Sequence, residues 1–365
     1  MKKNPLNKTH FLIVVACIFF LFSAARGKAS DLSPLKIQGP LAFCGETVPL
    51  DDPEIYERLE YELLLSACNE SQVIFWIKRS GRYMIYIEEI LKKNNLPDDL
   101  KYMVIIESSL LPHAGSSKGA VGFWQFIKET GFRYGMTINS AIDDRRNIFI
   151  STQAAADYLR DLYKMFNSWT LAAAAYNMGE TGLQSEMILQ RITDYYKLYL
   201  PLETQRYVFR IIAAKLILSD PQKYGFKLTK DDLYPPLQFD RVELTCSQDT
   251  PIGVIAQAAN TYFKVIKDMN PQIRGYYLCK GTHTILVPKG SGKDFPARFD
   301  RFLNQWLSES EQNIYEVQQG DTLSSIAARF HITAASLRVW NRLGGNNLRP
   351  GDRLIIYPVK PLTEQ

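Results

Sequence analysis

The C-terminal third of the chain contains an internal repeat, and this repeat constrains the fold more than any other feature of the sequence. Residues 242–289 and 315–358 both have the pattern of a strand, two helices and a strand. The matching positions are Asp249-Thr250 with Asp321-Thr322, Asn270 with Asn341, and TILVP with LIIYP. A repeat of this kind indicates one small βααβ module used twice.

The two copies of the module differ at their turns. Gly320 of the second copy is replaced by Gln248 in the first, and the RPGD turn is replaced by CKGT. The stretch between the copies begins rich in Gly and charged residues, which is typical of a linker. The sequence therefore predicts a degenerate module at residues 240–290, a linker at 291–313 and a complete module at 314–358.

Helical periodicity dominates the chain from about residue 54 to residue 220. Apolar residues such as Ala155 and Leu159 recur on one face of a helix, as the core side of a packed helix requires. We therefore expect a helical domain at residues 81–230, preceded by an N-terminal region at residues 26–80.

Glu107 closes an apolar run within this helical region. It follows the apolar residues 104–106, and Pro112 and Gly115 prevent the helix from continuing much further. Charged residues are seldom fully buried without a partner, and apolar surroundings raise the pKa of a carboxyl group. Glu107 is therefore either a paired structural acid or an acid that is kept protonated for chemistry.

The N-terminus has the layout of a secretory signal. Lys2, Lys3 and Lys8 precede an apolar run at residues 11–22, which small residues follow. We expect residues 1–25 to direct export to the periplasm or envelope of a bacterium. An uncleaved membrane anchor is an alternative, and so is a lipoprotein signal at Cys17.

Several functional classes lack their sequence signals in this chain. The formal charge is only +5, and no basic stripe suggests a nucleic-acid partner. The glycine-rich motifs of nucleotide-binding proteins and the GxSxG motif of serine hydrolases are not in the sequence. The histidines have no spacing typical of metal ligands. We expect no metal, no cofactor and no nucleotide.

Export also bears on the cysteines, because disulfides persist outside the cytoplasm. Cys246 ends the first strand of the first module and Cys279 lies just before its last strand. If these strands pair antiparallel, the two residues come within reach of a bridge. We predict a Cys246–Cys279 disulfide and, as a weaker prediction, a Cys44–Cys68 disulfide.

Three motifs occur in order: ESSLLPHAGSSKGAVGFWQF, AAAYNMGETG and ETQRYV. Together they resemble the lytic murein transglycosylases of the lysozyme-like superfamily. The variant GFWQF, with DDRRN downstream, resembles a membrane-bound branch of that family. GDTLSSIA and NLRPGD resemble LysM, a peptidoglycan-binding module. The resemblance implies a multidomain protein with a mainly α, lysozyme-like catalytic domain followed by α+β LysM modules of βααβ order.

The resemblance also implies roles for individual residues. Glu107 matches the catalytic Glu of the family. The residues that match its substrate-binding positions are Ser108, Ser116, Trp124, Gln125, Tyr176, Asn177, Glu203 and Tyr207. In the second module, the LysM positions that would bind glycan are Gly320, Asp321, Thr322, Leu323, Asn341, Pro350 and Gly351.

Cleavage of a glycosidic bond needs a proton on the leaving oxygen, and a carboxyl group with a raised pKa can supply it near neutral pH. Most glycosidases use a second carboxylate as well. The family that this chain resembles uses one Glu as acid and then as base, so that the N-acetylmuramic acid ring closes to a 1,6-anhydro product. The implied partner is peptidoglycan.

Most of these residues also have a structural interpretation. The alternatives are a turn cap for Ser116, backbone hydrogen bonding in the core for Gln125 and Tyr176, a helix end for Asn177, and a surface ion pair between Glu203 and Arg206. The charged residues 143–146 have the pattern of a structural cluster and are left outside the predicted catalytic set.

Two alternative functions follow from the same residues. A lysozyme-type hydrolase would need a second acid, for which Asp143 and Asp144 are the candidates. A wall-binding protein with an inactive enzyme-like domain is the other alternative. Intact Glu107, Gln125 and Tyr176 argue against the inactive domain.

Overall fold

The computed structural model of the chain describes residues 36–357, except for the side chains of residues 310–312. The predicted export signal at residues 1–25 lies outside the described part. Within the described part, no helix combines the length and the apolar character that crossing a membrane would require.

The N-terminal two thirds of the described chain is mainly helical. A short hairpin of β1 (Ala42–Phe43) and β2 (Glu46–Thr47) precedes the helices. The helices are α1 (Pro53–Cys68), α2 (Glu70–Lys93), α3 (Met103–Ser108), α4 (Lys128–Arg133), α5 (Ile148–Phe166), α6 (Trp169–Met178), α7 (Glu180–Gln190) and α8 (Leu202–Ser219). Short 3-10 helices lie at Asp98–Tyr102, Asp144–Arg146, Tyr195–Lys197, Pro221–Tyr224 and Lys230–Asp232.

Helix α6 lies at the centre of this domain and packs against α5, α7 and α8. Its alanines at 172–175 are fully buried, and their small side chains let the neighbouring backbones approach closely. The Ser168 side chain caps the helix by accepting from the Leu171 N–H. The Glu46 carboxylate also lies at this end and accepts a 3.0 Å hydrogen bond from the Thr170 N–H, which ties the hairpin to α6.

One hydrophobic core extends from Ile37 to Phe226. The boundary predicted at residue 80 falls inside α2, and α1 packs along α8. The described part of the N-terminal region at residues 26–80 therefore contributes to the core of the helical domain.

The internal repeat forms two βααβ modules. The first contains β3 (Phe239–Cys246), β4 (Thr250–Pro251), α9 (Ile252–Ala258), α10 (Phe263–Met269), β5 (Tyr277–Leu278) and β6 (Gly281–Pro288). The second contains β7 (Ile314–Glu316), α12 (Leu323–Arg329), α13 (Ala334–Asn341) and β8 (Arg353–Ile355). Strands β3 and β6 pair antiparallel, as do β7 and β8. The predicted fold class, a helical domain followed by α+β modules, is confirmed.

The matched asparagines make the same hydrogen bonds in the two modules. Asn270 pairs with both the N–H and the C=O of Leu286, at 2.8 Å each. Asn341 pairs in the same way with Ile355, at 2.6 and 2.8 Å. Leu286 is therefore equivalent to Ile355. The predicted alignment of TILVP with LIIYP was wrong by one residue, because the shared hydrogen bonds match Ile285 with Leu354.

The stretch predicted as a linker is largely a helix, α11 (Phe295–Gln312). Phe295 and Phe299 are buried in the core of the first module, and α11 packs against α9. Tyr357 accepts a 2.6 Å hydrogen bond from the Trp306 indole N–H of α11. The segment between the modules is thus a packed part of both.

The first module also docks on the helical domain. Ile142 and Ile273 form an isolated β-bridge, and the Asp143 N–H donates to the Gln272 C=O at 2.8 Å. The Arg274 N–H donates to the Ala141 C=O, also at 2.8 Å. This pairing joins the module to the segment that carries the DDRRN sequence.

Neither predicted disulfide is present in the structure, in which Cys44, Cys68, Cys246 and Cys279 all carry free thiols. The expected antiparallel pairing of β3 with β6 is present, but its register places Cys246 opposite Gly281, so Cys279 lies two residues before the paired position. Cys44 is packed against the core of the helical domain, whereas Cys68 is exposed at the end of α1.

Candidate active site

Glu107 lies on the last turn of α3, as the sequence predicts. Residues 103–105 of this short helix are fully buried and fix it in the core. The chain then leaves the helix through Ser109 and Leu110, both in the left-handed region with φ of 52° and 60°. This abrupt end leaves the Glu107 carboxyl facing an open cleft.

Burial raises the pKa of Glu107 to about 7, and the negative charge of Glu203 acts in the same direction. A hydrogen bond from Tyr207 and the positive charge of Arg210 oppose this rise. At neutral pH the carboxyl group is therefore divided between its acid and base forms, which suits a residue that must play both roles.

Tyr207 lies on α8 and donates its hydroxyl hydrogen bond to Glu107 Oε1. The side chain is almost fully buried, with 1% of its surface exposed. The sequence predicted a substrate-binding role for Tyr207. It lines the cleft, and its observed hydrogen bond is with the carboxyl group of Glu107.

The loop before α4 carries Gln125 into the cleft, and a glycine makes its path possible. Gly122 has φ of 84°, and a Cβ atom on it would lie 1.9 Å from the Arg145 carbonyl oxygen. Gln125 also has a positive φ, of 48°, and its side-chain amide donates to the Gly122 C=O at 2.9 Å. The loop therefore holds Gln125 in a fixed position on the cleft wall.

Arg145 clamps the same loop from beneath. Its guanidinium donates to the carbonyl oxygens of Gly119 and Phe126, each at 3.1 Å. Two further hydrogen bonds, of 2.8 and 2.9 Å, join it to the Asp143 carboxylate. Burial alone would raise the pKa of Asp143, but the pairing with Arg145 outweighs burial and holds this pKa below its usual value. The charge cluster at residues 143–146 is structural in these contacts.

Two predicted substrate contacts are corrected by the structure. Ser108 is buried, and its hydroxyl donates to the Phe123 C=O at 2.7 Å. Trp124 is fully buried, and its indole N–H donates to Thr152 Oγ1 at 2.9 Å. Because both side chains face the core, neither can pack against a sugar.

Tyr176 and Asn177 lie at the C-terminal end of α6 and line the cleft. The Tyr176 hydroxyl donates to the Trp124 C=O at 2.8 Å, which links this helix end to the Gln125 loop. Asn177 Oδ1 accepts from Thr204 Oγ1 at 2.8 Å and so links α6 to α8.

Ser116 and Glu203 lie at the rim of the cleft. Ser116 Oγ accepts from the Ala120 N–H at 3.1 Å, which is the turn-capping contact weighed as its alternative. Glu203 forms an ion pair with Arg210 at 2.8 Å. The suggested pair with Arg206 was wrong, because Arg206 instead pairs with Glu62.

The cleft has a volume of about 790 Å³ and brings these residues together around Glu107. It also contains residues that the sequence reasoning missed: Lys118, Arg133, Tyr158 and Glu180. Glu180 accepts from Arg133 at 2.6 Å and from the Tyr158 hydroxyl at 2.7 Å. The sequence offered one signal for a role of Glu180 in the cleft, which is its position directly after Gly179 at the start of α7.

In the second module, most of the predicted glycan-binding residues stabilise the module itself. Asp321 accepts from the Tyr315 hydroxyl at 2.6 Å, and Asn341 is bonded to β8. Thr322 caps α12, and Leu323 is buried. The predicted residues that remain exposed in turns are Gly320, Pro350 and Gly351.

Within residues 36–357, no group of three or more His, Cys, Asp and Glu side chains is arranged to hold a metal ion. The carboxyl groups that line the cleft are Glu107, Glu180 and Glu203. The lining also carries hydroxyl, amide, ammonium and guanidinium groups.

Comparison with known proteins agrees with this geometry. Residues 84–197 match the transglycosylase SLT domain family, and residues 315–356 match the LysM domain family. Membrane-bound lytic murein transglycosylase D from Escherichia coli strain K12 is 32% identical over 329 residues, which cover 86% of this chain and 72% of the relative. The chain belongs to the lytic murein transglycosylases.

A second Escherichia coli relative, from strain CFT073, carries the same name and matches to the same extent. A solved structure of lytic transglycosylase Slt from Pseudomonas aeruginosa aligns over 39% of this chain and 23% of its own at 20% identity, with a TM-score of 0.25. In this transglycosylase, Glu107, Gln125 and Tyr176 fall inside the matched SLT region, whereas Tyr207 lies beyond it. The LysM match covers the second module.

Proposed function

We propose that this chain cleaves the β-1,4 bond between N-acetylmuramic acid and N-acetylglucosamine in peptidoglycan and leaves 1,6-anhydro-N-acetylmuramic ends. The observation that carries the proposal is Glu107. It is a single carboxyl group with a pKa of about 7 on the wall of a 790 Å³ cleft, and the Tyr207 hydroxyl holds it in place.

Glu107 begins the reaction as a general acid. Its proton passes to the glycosidic oxygen while the bond from that oxygen to C1 of N-acetylmuramic acid breaks, and positive charge develops at C1. N-Acetylglucosamine leaves with a free 4-hydroxyl. The hydrogen bond from Tyr207 stabilises the carboxylate that results, since a donor to the charged form lowers its energy.

Glu107 then acts as a base. Its carboxylate removes the proton from the 6-hydroxyl of the same N-acetylmuramic acid, and O6 forms a bond to C1. The proton taken from O6 replaces the one given to the leaving oxygen, so no water is consumed and the enzyme returns to its starting state. One residue can do both because its two forms are close in energy near pH 7.

The other carboxylates near the cleft favour this route over hydrolysis. Glu180 and Glu203 are each paired with an arginine, at 2.6 and 2.8 Å. Asp143 and Asp144, the acids suggested for a lysozyme-type hydrolase, do not line the cleft. A hydrolase needs a second acid to serve as nucleophile or to activate water. Each of these acids is either paired with an arginine or located outside the cleft lining.

The remaining cleft residues position the sugar in this proposal. Tyr176 and Asn177 orient the N-acetyl group beside C1, and Gln125 holds the ring from the opposite loop. Ser116 contacts the sugar at the rim of the cleft. These roles are supported by the hydrogen bonds that fix the side chains of Gln125, Tyr176 and Asn177. Side chains that are already fixed lower the entropic cost of bringing the sugar into the reactive geometry.

Mass analysis of products from purified peptidoglycan tests the proposal. Anhydro ends on the released fragments, lost in Glu107→Gln, are the expected result. Reducing ends would identify a hydrolase. Binding to the wall with no released fragments from the parent chain would identify an inactive wall-binding protein.

We further propose that the enzyme works in the cell envelope, attached to a membrane through residues 1–25. The support is the apolar run at residues 11–22 and the membrane-bound relatives. Intact mass of the mature protein distinguishes a cleaved signal, a retained anchor and a lipid on Cys17. Recovery of the mature protein without a lipid or an anchor, in the soluble fraction, would contradict the attachment.

A further inference from the structure

A second cavity, of about 590 Å³, lies where the two βααβ modules meet, and we name it the junction groove. Its walls come from three parts of the chain. The first module contributes Gln257 and Tyr276, helix α11 contributes Trp306, and the second module contributes Ser336 and Trp340. The groove therefore exists only because the two copies are docked together through α11.

Aromatic rings dominate the junction groove. Seven of its sixteen lining residues are aromatic, whereas aromatic residues form 12% of the whole chain. Tyr276 is 57% exposed, and the rings of Trp306 and Trp340 are half-buried, so their faces meet the groove. Such enrichment is typical of a site that packs a flat, partly apolar ligand.

Two of the groove's rings, those of Tyr277 and Trp306, are held in place by hydrogen bonds from their polar ends. The Tyr277 hydroxyl donates to the Trp340 C=O at 2.9 Å, which joins the two modules. The Trp306 indole N–H donates to the Tyr357 hydroxyl at 2.6 Å. Because these groups are already hydrogen-bonded within the protein, the ring faces are what the groove offers. A preorganised platform of this kind reduces the entropy lost on binding.

The polar groups at the groove are almost all neutral. Gln257 and Ser336 lie on opposite walls, and Gln305 donates to Glu309 at 2.9 Å. Among the lining residues whose side chains the structure describes, Glu309 is the one that is charged. Its negative charge disfavours an anionic ligand such as a lipid headgroup or the carboxylates of a peptide stem. Aromatic faces edged by amide and hydroxyl groups instead match an uncharged sugar, whose C–H faces stack while its hydroxyl and N-acetyl groups accept and donate hydrogen bonds.

We propose that the junction groove binds a β-1,4-linked N-acetylhexosamine strand, as a wall-binding site built jointly by both modules. It is separate from the exposed turns at Gly320, Pro350 and Gly351. The inference rests on the proposed action on peptidoglycan, and it gives the diverged first module a part in glycan binding.

The five tryptophans of the chain provide a site-specific test. In the full-length Glu107→Gln chain labelled with ¹⁵N, the indole signals of Trp306 and Trp340 report on the groove. Those of Trp76, Trp124 and Trp169 report on the helical domain. Titration with chitohexaose, a soluble β-1,4-linked N-acetylglucosamine hexamer, is expected to shift the Trp306 and Trp340 signals together.

Two variants and one control sharpen the test. Tyr276→Ala removes a groove ring, and Ala335→Trp fills the groove from the exposed start of α13. Each is expected to raise the Kd read from the Trp340 signal by about fivefold or more, the worth of one good ring contact. Tyr262→Ala removes a ring that is 80% exposed beside the groove but not part of its lining, and should change the Kd by less than about twofold.

Unchanged affinity in both groove variants would overturn the proposal, as would shifts caused by a sugar-free stem peptide but not by chitohexaose. The parent chain's digestion products are measured separately. Anhydro products with no groove binding would remove this inference alone, whereas groove binding without anhydro products would remove only the proposed reaction.

Discussion

The catalytic cleft and the junction groove are both open cavities in the same chain, but they are built on opposite principles. The cleft surrounds a half-buried ionisable group, Glu107, whose pKa is raised to about 7. The groove is lined by aromatic rings, of which Tyr277 and Trp306 have polar ends that are already hydrogen-bonded within the protein. A reaction needs a group that changes charge, whereas holding a neutral strand needs only fixed surfaces. Variants that affect one cavity should therefore spare the other.

The largest expected effect is the loss of cleavage in Glu107→Gln. The amide cannot donate or accept the proton, so the cleavage rate should fall by about a thousandfold or more. Binding to purified sacculi should stay within about twofold of the parent chain. Product release is followed by mass analysis, and binding by co-sedimentation. Undiminished cleavage would show that the proton donor is another residue.

The same substitution should stabilise the fold at high pH. The pKa of Glu107 is raised from an ordinary 4.5 to about 7, so the unfolded chain releases this proton at lower pH than the folded chain does. The folded state therefore loses stability as the pH rises through that window, by about 3 kcal/mol at most. Glu107→Gln removes this loss. Its Tm should exceed that of the parent at pH 8 and equal it at pH 4, while exposed Glu129→Gln should show no such difference.

Tyr207→Phe should have a smaller effect, of about tenfold on the cleavage rate, because it removes one hydrogen bond to the Glu107 carboxyl group. That hydrogen bond lowers the pKa of Glu107. Without it, the limb of the pH–rate profile that reports Glu107 should move to higher pH. If the cleavage rate fell but the pH–rate profile did not move, Tyr207 would have only a structural role.

Tyr196→Phe is the matched control for Tyr207→Phe. The Tyr196 hydroxyl is also buried, but it has no hydrogen-bond partner within residues 36–357. Its removal should leave both the cleavage rate and the pH–rate profile unchanged.

The smallest effect concerns the second module. A chain that ends at Asn313 lacks the second module and one wall of the junction groove. Its affinity for sacculi should fall by about fivefold to tenfold, because one of two linked binding surfaces is lost. Cleavage of a short soluble glycan fragment should change by less than about twofold, with circular dichroism as the check on folding. Equal losses in both assays would contradict the separation of the two cavities.

Local sequence patterns predicted the parts of this structure that depend on nearby residues. The apolar run before Glu107 and the Pro and Gly after it were enough to place the carboxyl group on a helix end. The repeat identified Asn270 and Asn341 as equivalent, although the strand alignment beside them slipped by one residue. Alternation along a strand does not by itself fix its register.

The missed features depend on contacts between distant segments. Trp124 faces the core because Gly122 turns the loop with a positive φ, and the motif alone does not show on which side the ring falls. Arg133 and Glu180 are 47 residues apart in sequence but form an ion pair of 2.6 Å. Only the packed helices bring them together.

The docking of the first module has a mechanical consequence. The Asp143 N–H is bonded to the module through Gln272, and the Asp143 carboxylate grips Arg145, which holds the carbonyl oxygens of the loop that carries Gln125. A displacement of the first module relative to the helical domain would therefore act on the loop that carries Gln125 through this short series of hydrogen bonds.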